Sequence, residues 1–455
     1  MQLDMTKGKP LPVILQFTIP LVIGNIFQQL YNMADTIIVG RCVGAGALAA
    51  VGSTGTIMFL ATGFAQGITA GFSILTAQRY GAGDEKGVKR SVANGMILAV
   101  IAAVILTLVC VAIMNPLLHL MNTPSDIFQD AYTYIMGISV GLTANIFYNL
   151  FSSYLRAVGN SQIPLFFLIF SACLNVGLDL LFIIRGGMGV AGAAWATNLS
   201  QAISAVLCAG YIWVKVPSLK PEREHWKIHG SDTRNQLAAG IPMAFQFAIT
   251  ASGTMIMQSA INLFGSEAVA AYTAACKVHS LLTQGMVAMG QTMAVCSGQN
   301  YGKGDAKRIR DGVKAALLID VIYSVVSAVL VSLLLGVTLG LFFSGDVDLT
   351  VMMPWARTYI TICTLFYIPL STIFIFRNTM QGCGYGFLPM MGGVVELVAR
   401  LSVAMIAMRV HSYALSCFCD PAAWLSAGLF TGVSYLFVMK KIRASLEPKS
   451  VTVQP

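Results

Sequence analysis

The chain has 455 residues, of which 56% are AVILMFWYC and only 10% are Asp, Glu, Lys or Arg, against about 25% charged residues in ordinary globular domains. This excludes a soluble protein, and the net charge of +9 does not redirect the chain to nucleic acid, because its basic residues stand in short tracts between apolar runs rather than along an aromatic-studded groove. A bilayer span takes about 20 apolar residues, so twelve spans leave only short connections.

In chain order, apolar runs between breaks predict spans over 13–39, 48–76, 91–114, 131–154, 162–184 and 190–214, then 240–263, 268–298, 315–343, 355–378, 388–408 and 422–439. The opening MQLDMTKGKPLP runs into a full-length span without the short apolar region and small-residue cleavage site of an export signal, so no removed leader is expected. With the amino terminus inside, 22 of the 28 lysines and arginines fall on inner segments. Both termini are therefore expected in the cytoplasm, with anionic membrane lipid as neighbour. The ten cysteines stand singly or as Cys417-x-Cys419, which suits neither a disulfide framework nor a structural metal site.

The tract QRYGAGDEK at 78–86 recurs as QNYGKGDAK at 299–307. The same spacing pairs Ala49-Ala50 with Ala270-Ala271, and Pro20, Gly159 and Pro164 meet Pro242, Gly384 and Pro389 at nearly the same offset. Six spans separate the copies, and six is even, so both enter the membrane from one side as parallel repeats. The expected fold is all-α integral membrane: twelve helices in two six-helix lobes related by a pseudo-twofold along the membrane normal. The lobes are expected over 1–214 and 236–444, with 215–235, polar and Pro-rich, as a cytoplasmic linker and 445–455 as a cytoplasmic tail. Two similar bundles suit alternating access around a central cavity.

Four carboxylates fall inside these spans: Asp35, Asp179, Asp320 and Glu396. Each costs about 2.5–3.5 kcal/mol at a lipid-exposed mid-membrane position, so each should face protein or a wet cavity. Asp35 precedes Arg41, and Asp179 precedes Arg185, by the same stretch of chain, which puts both acids about 9 Å below one mouth. Asn175 stacks one turn before Asp179, and Thr197 on the sixth span lies at similar depth. Two carboxylates, an amide and a hydroxyl suit H+ or Na+, since hard cations take oxygen ligands. Gln28, Tyr31 or Asn32, and Asp35 continue a polar stripe along the first span that is expected to line a substrate cavity. Pro20 interrupts that helix and permits either a fixed kink or a bend between two states. In the second half Glu396 and Arg400, four apart, suit an intrahelical pair. Pairing of Lys277 with Asp320 or Glu396 would make these buried charges tolerable, a C-lobe charged network with a possible part in substrate charge preference.

There is no G-x-x-x-x-G-K-[ST] loop, so ATP is not expected to drive transport, and no H-E-x-x-H, G-x-S-x-G or paired CxxC suggests an enzyme or a structural metal. No cofactor is expected beyond the coupling ion.

TIPLVIGNIFQQLYNMADTIIVG, ALAAVG, AQRYGAGD, GQNYGKGD, LRAVGNSQIP, LNVGLDLLFI and GVAGAAWATNLSQ together resemble the multidrug and toxic compound extrusion (MATE) transporters, prokaryotic DinF-like branch. The resemblance implies a bacterial plasma-membrane antiporter, monomeric by default, that exports amphipathic and often cationic organic compounds as H+ or Na+ enters. It places the cation site on Asp35, Asn175, Asp179 and Thr197. Acids that some relatives carry on the seventh and tenth spans are missing from FAITASGTMIM and FYIPLSTIFIF. A lipid or lipid-linked sugar flippase of the same superfamily is the alternative; it would need a basic headgroup path, and only Lys277 and Arg400 lie within spans.

Overall fold

A computed structural model describes residues 3–121, 123–340 and 349–446. Of the expected tail, Ser445 and Leu446 close the last helix and the remainder lies outside the described residues. Among the described residues there is no strand. The helices are α1 (Pro10–Cys42), α2 (Ala45–Gly81), α3 (Glu85–Leu120), α4 (Phe128–Val140), α5 (Leu142–Ala157), α6 (Gln162–Asp179), α7 (Gly189–Lys215) and α8 (Gly230–Ile261), then α9 (Gly265–Lys303), α10 (Ala306–Gly340), α11 (Leu349–Thr364), α12 (Tyr367–Gly382), α13 (Phe387–Val410), α14 (Tyr413–Cys417) and α15 (Cys419–Leu446).

These helices make twelve spans. The fourth is α4 and α5, bent by 45° at Gly141, and the tenth is α11 and α12, bent by 49°. The last joins α14 to α15. α8 and α9 run on for 74 residues, about 110 Å at 1.5 Å per residue, far more than one bilayer core of about 30 Å. A 3-10 turn at Asn262–Phe264 and Gly265 at φ 87° divide them into two.

The repeat seen in the sequence recurs in the backbone. Gly44, Gly83 and Gly159 take positive φ, as do their counterparts Gly265, Gly304 and Gly384. At Gly159 the need is double, because a side chain there would also run into the Leu3 carbonyl. Asp84 caps α3 by accepting from the Gly87 amide at 2.9 Å, and Asp305 caps α10 by accepting from the Arg308 amide at 2.8 Å. The bends of the fourth and tenth spans occupy matching places. One difference stands out: α6 continues as a π-helical turn over Leu180–Arg185, whereas its counterpart α13 stays α-helical to Val410.

The chain packs into two compact units. One holds Phe17–Ala248 with the residues up to Asp4, and the other holds Met5–Gln16 with the chain from Ile249 onward. The division differs from the lobes expected at 1–214 and 236–444. Part of the expected linker forms 3-10 turns at Pro217–Leu219 and Arg223–Trp226, and α8 already begins at Gly230. The first half of α8 belongs to the first unit because Ala244 joins the apolar core of α2, α3 and α5 while Ala239 and Met243 pack on Ile74.

Candidate cation-coupling site

The site lies wholly within the first unit. α1 supplies Tyr31 and Asp35, α6 supplies Asn175 and Asp179 from one face, and α7 supplies Thr197. Asn175 and Asp179 are fully buried, and Asp35 is 8% exposed. The Asp35 and Asp179 carboxyls adjoin each other. Thr197 Oγ1 accepts from Asn175 Nδ2 at 3.3 Å and from the Tyr31 hydroxyl at 3.4 Å. Depth counting thus brought together four residues that the fold also brings together. Asp179 is the last residue before the π turn, and such turns locally rearrange the helix hydrogen bonds, often at functional sites.

The polar balance of this cluster is unusual. Asp35 Oδ1, Asn175 Oδ1 and both oxygens of Asp179 are buried with no hydrogen-bond donor from the protein. Among the described residues no Lys, Arg or His forms an ion pair with either acid. Orphaned acceptors in a dry interior cost free energy unless a donor or a positive charge meets them. An oxygen-only donor set of this kind fits a proton or Na+.

The neighbours of the site are partly as expected. Tyr31 rather than Asn32 turns to the acids; Asn32 is exposed and accepts from Gln28 Nε2 at 3.5 Å along its own helix. Gln28 and Tyr31 line a small cavity with Tyr148, Leu168, Ser171, Ala172 and Gln201. Pro20 is buried, and α1 continues through it. Tyr134 of α4 and Ser200 of α7 also adjoin the cluster, the Tyr134 hydroxyl donating to Met58 Sδ at 3.7 Å. No spacing in the sequence singled out these two.

Among the described residues the second unit has no copy of this site. Asp35 corresponds to Ile256 or Met257 and Asp179 to Ala404; Met257 and Ala404 are buried in one apolar core, and Ile256 packs against it. Its charges form a different set from the pairing expected with Lys277. Arg400 donates to Glu396 at 3.0 Å and from Nε to Asp420 at 3.0 Å. The guanidinium fork engages both carboxylates at once, while Lys277 is exposed and forms no ion pair among the described residues. Asp420 escaped notice because the twelfth span was read from 422, whereas α15 starts at Cys419. Asp320 is 2% exposed and its Oδ2 has no hydrogen-bond partner. His279 Nδ1 and the Tyr367 hydroxyl share a hydrogen bond at 3.0 Å, and the ring stacks on Trp424.

Comparison with known proteins bears on these observations. The MatE family model matches residues 20–181 and again 242–406, starting at the paired prolines Pro20 and Pro242. The chain belongs to the MatE family. It is similar to the probable multidrug resistance protein YpnP of Bacillus subtilis (strain 168), with 30% identity over 67% of this chain and 68% of the relative. It is also similar to YoeA of the same organism, likewise named a probable multidrug resistance protein, with 25% identity over 81% of this chain and 80% of the relative. A solved MATE in complex with MaL6 shares the fold, with a TM-score of 0.91 and 21% identity over 97% of this chain and 99% of that one. As a MatE chain the protein is a multi-pass membrane transporter of small organic compounds rather than an enzyme, and such transporters need no cofactor.

Proposed function

We propose that this MatE protein exports amphipathic, often cationic organic compounds across a bacterial plasma membrane in exchange for H+ or Na+, with Asp35, Asn175, Asp179 and Thr197 as the coupling site. The observation that carries the reading is the pair of adjoining buried carboxyls with three of their oxygens, and the Asn175 amide oxygen beside them, lacking any donor. A cation entering from outside neutralises the pair. Its departure to the cytoplasm restores a bare charge in a dry site, so the two forms favour different packings of α1, α6 and α7. The π turn after Asp179 and Pro20 in α1 are the points where those helices have fewest regular hydrogen bonds to lose.

Substrate and coupling ion act by competition across shared states. Gln28 and Tyr31 link the cavity to the acids, because Tyr31 borders the cavity and also donates to Thr197. Moving one cation inward is worth about 2.3 kcal/mol per 100 mV. The orientation follows from the bias of basic residues, which puts both termini in the cytoplasm, and the chain works as a monomer surrounded by lipid. The names of the relatives support the substrate class, since YpnP and YoeA are both called probable multidrug resistance proteins.

The reading is tested by binding and transport together. In proteoliposomes Asp179→Asn should still bind a fluorescent organic cation within a few-fold of the parent yet lose acceleration by a pH or Na+ gradient. Retained gradient-driven export in that variant would refute the assignment.

A further inference from the structure

Arg156 stands apart from every charge accounted for so far. It lies in the last turn of α5 and is only partly exposed. Among the described residues no carboxylate forms an ion pair with it, and its one hydrogen bond runs from Nη2 to Ser153 Oγ at 3.0 Å. A basic side chain at a helix end commonly caps the last carbonyls. Here that role is already taken, because the Tyr154, Leu155 and Arg156 carbonyls accept from the amides of Val158, Asn160 and Gly159 at 3.3, 2.9 and 2.9 Å. At the offset that pairs Gly159 with Gly384, Arg156 meets Gln381, so the repeated scaffold does not demand a charge at this place.

The side chains around Arg156 hold unspent donors. Tyr148, Ser152 and Arg156 follow one another at intervals of one turn on α5 and share a face. Tyr148 and Cys208 of α7 adjoin both Ser152 and Arg156. Ser152 is 2% exposed, and its hydroxyl makes no hydrogen bond. Ser153 is also buried and accepts from Arg156. Ser204, one turn before Cys208 on α7, is fully buried with a hydroxyl that is likewise unpartnered. Helical hydroxyls elsewhere in this unit behave differently: Ser139 and Ser200 donate to carbonyls of the preceding turn at 2.7 and 2.9 Å.

A positive charge with no acid beside it, next to hydroxyls with protons to give, inverts the chemistry of the Asp35 and Asp179 cluster. Such a set is complemented by an acceptor that carries negative charge. We propose that Arg156, Ser152 and Ser153 bind a small monovalent inorganic anion of the chloride type at the end of α5. The guanidinium offers several N–H donors in a fixed fork, and the two hydroxyls rotate to donate to the same ion. The partial exposure of Arg156 gives an ion of that size a way in. Ser152 and Ser204 are buried inside the unit rather than set on its surface, which favours a free ion over a lipid headgroup. Tyr148 also lines the cavity shared by Gln28 and Tyr31, so a bound anion cancels a positive charge beside a cavity proposed for organic cations.

The test needs no transport and so stands apart from the coupling reading. The full-length protein, purified in dodecyl maltoside without added lipid, is titrated with sodium chloride against sodium gluconate at constant Na+ and ionic strength while its thermal midpoint is followed. The parent midpoint should rise and level off, bromide should replace chloride, and Arg156→Gln should lose the rise. Ser152→Ala removes one donor to a charged ligand and should raise the half-saturating chloride about tenfold. That variant decides the matter if Arg156→Gln is not recovered folded. A parent without a saturating response, an equal response in Arg156→Gln, or an unchanged half-saturation in Ser152→Ala overturns the proposal. So does a midpoint that answers to added phosphatidylglycerol and not to chloride, which would assign the guanidinium to a lipid headgroup.

Discussion

Asp179 and Arg400 represent opposite solutions to the same problem, a charged side chain at membrane depth. Arg400 is satisfied by protein alone, through Glu396 and Asp420, and breaking such a buried set by removing one member typically costs about 3–5 kcal/mol. Arg400→Ala should therefore lower the thermal midpoint sharply, and Arg400→Lys should recover part of it, as read by a thiol-free unfolding assay in detergent. Asp179 has no protein donor on either oxygen. Asp179→Asn should leave the midpoint unchanged or higher while gradient-driven export disappears, a split that a merely structural residue would not produce. The two buried acids of the proposed site were legible in the sequence because depth can be counted from flanking arginines. Asp420 was not, because the apolar run gives no sign that its helix begins before the run itself, and Tyr134 was not, because one tyrosine among fifteen carries no periodic signal.

At the scale of elements, capping and close packing decide what the repeat preserves. The Gly87 amide and the Arg79 guanidinium hold the Asp84 carboxyl below the usual carboxylate range. Since its pKa is depressed in the folded state, this contribution is complete above about pH 4 and fades as pH falls through the folded value. Asp84→Ala should cost about 1 kcal/mol, visible as a lower midpoint at pH 7 and a smaller difference from the parent in strong acid. Gly71→Leu should do more, because the Gly240 backbone leaves it no room. Overpacking of that kind costs about 1–3 kcal/mol, and the expected result is poor recovery of monodisperse protein, partly rescued by Gly71→Ala only if α8 shifts. The glycine spacing at 63, 67 and 71 fits a helix-packing pattern but was not singled out in the sequence. The π turn after Asp179 and the bend at Gly141 were not readable there, since both depend on tertiary neighbours. Asn198 of α7, for one, donates to the Gly137 carbonyl at 2.8 Å beside that bend.

For the whole molecule, composition and the duplicated glycine turn led to twelve spans in two related halves, because a parallel duplication leaves its mark at every position where backbone geometry is special. The limits of the compact units were less legible. Polarity and proline made 215–235 look like the divide, yet Asp232, Gln236 and the glycine contacts carry the first unit on to Ala248. The loss of symmetry on which the proposed function rests lies elsewhere: Asp35 and Asp179 of the first unit correspond to Ile256 or Met257 and to Ala404 in the second. Coupling is thus assigned to one half alone. The most direct test is export of a fluorescent organic cation from proteoliposomes, driven by a pH gradient alone and then by a Na+ gradient alone, for the parent and for Asp179→Asn. Acceleration by one of the two gradients that vanishes in the variant is the predicted result; gradient-driven export that survives in Asp179→Asn, or no response of the parent to either gradient, would contradict the account.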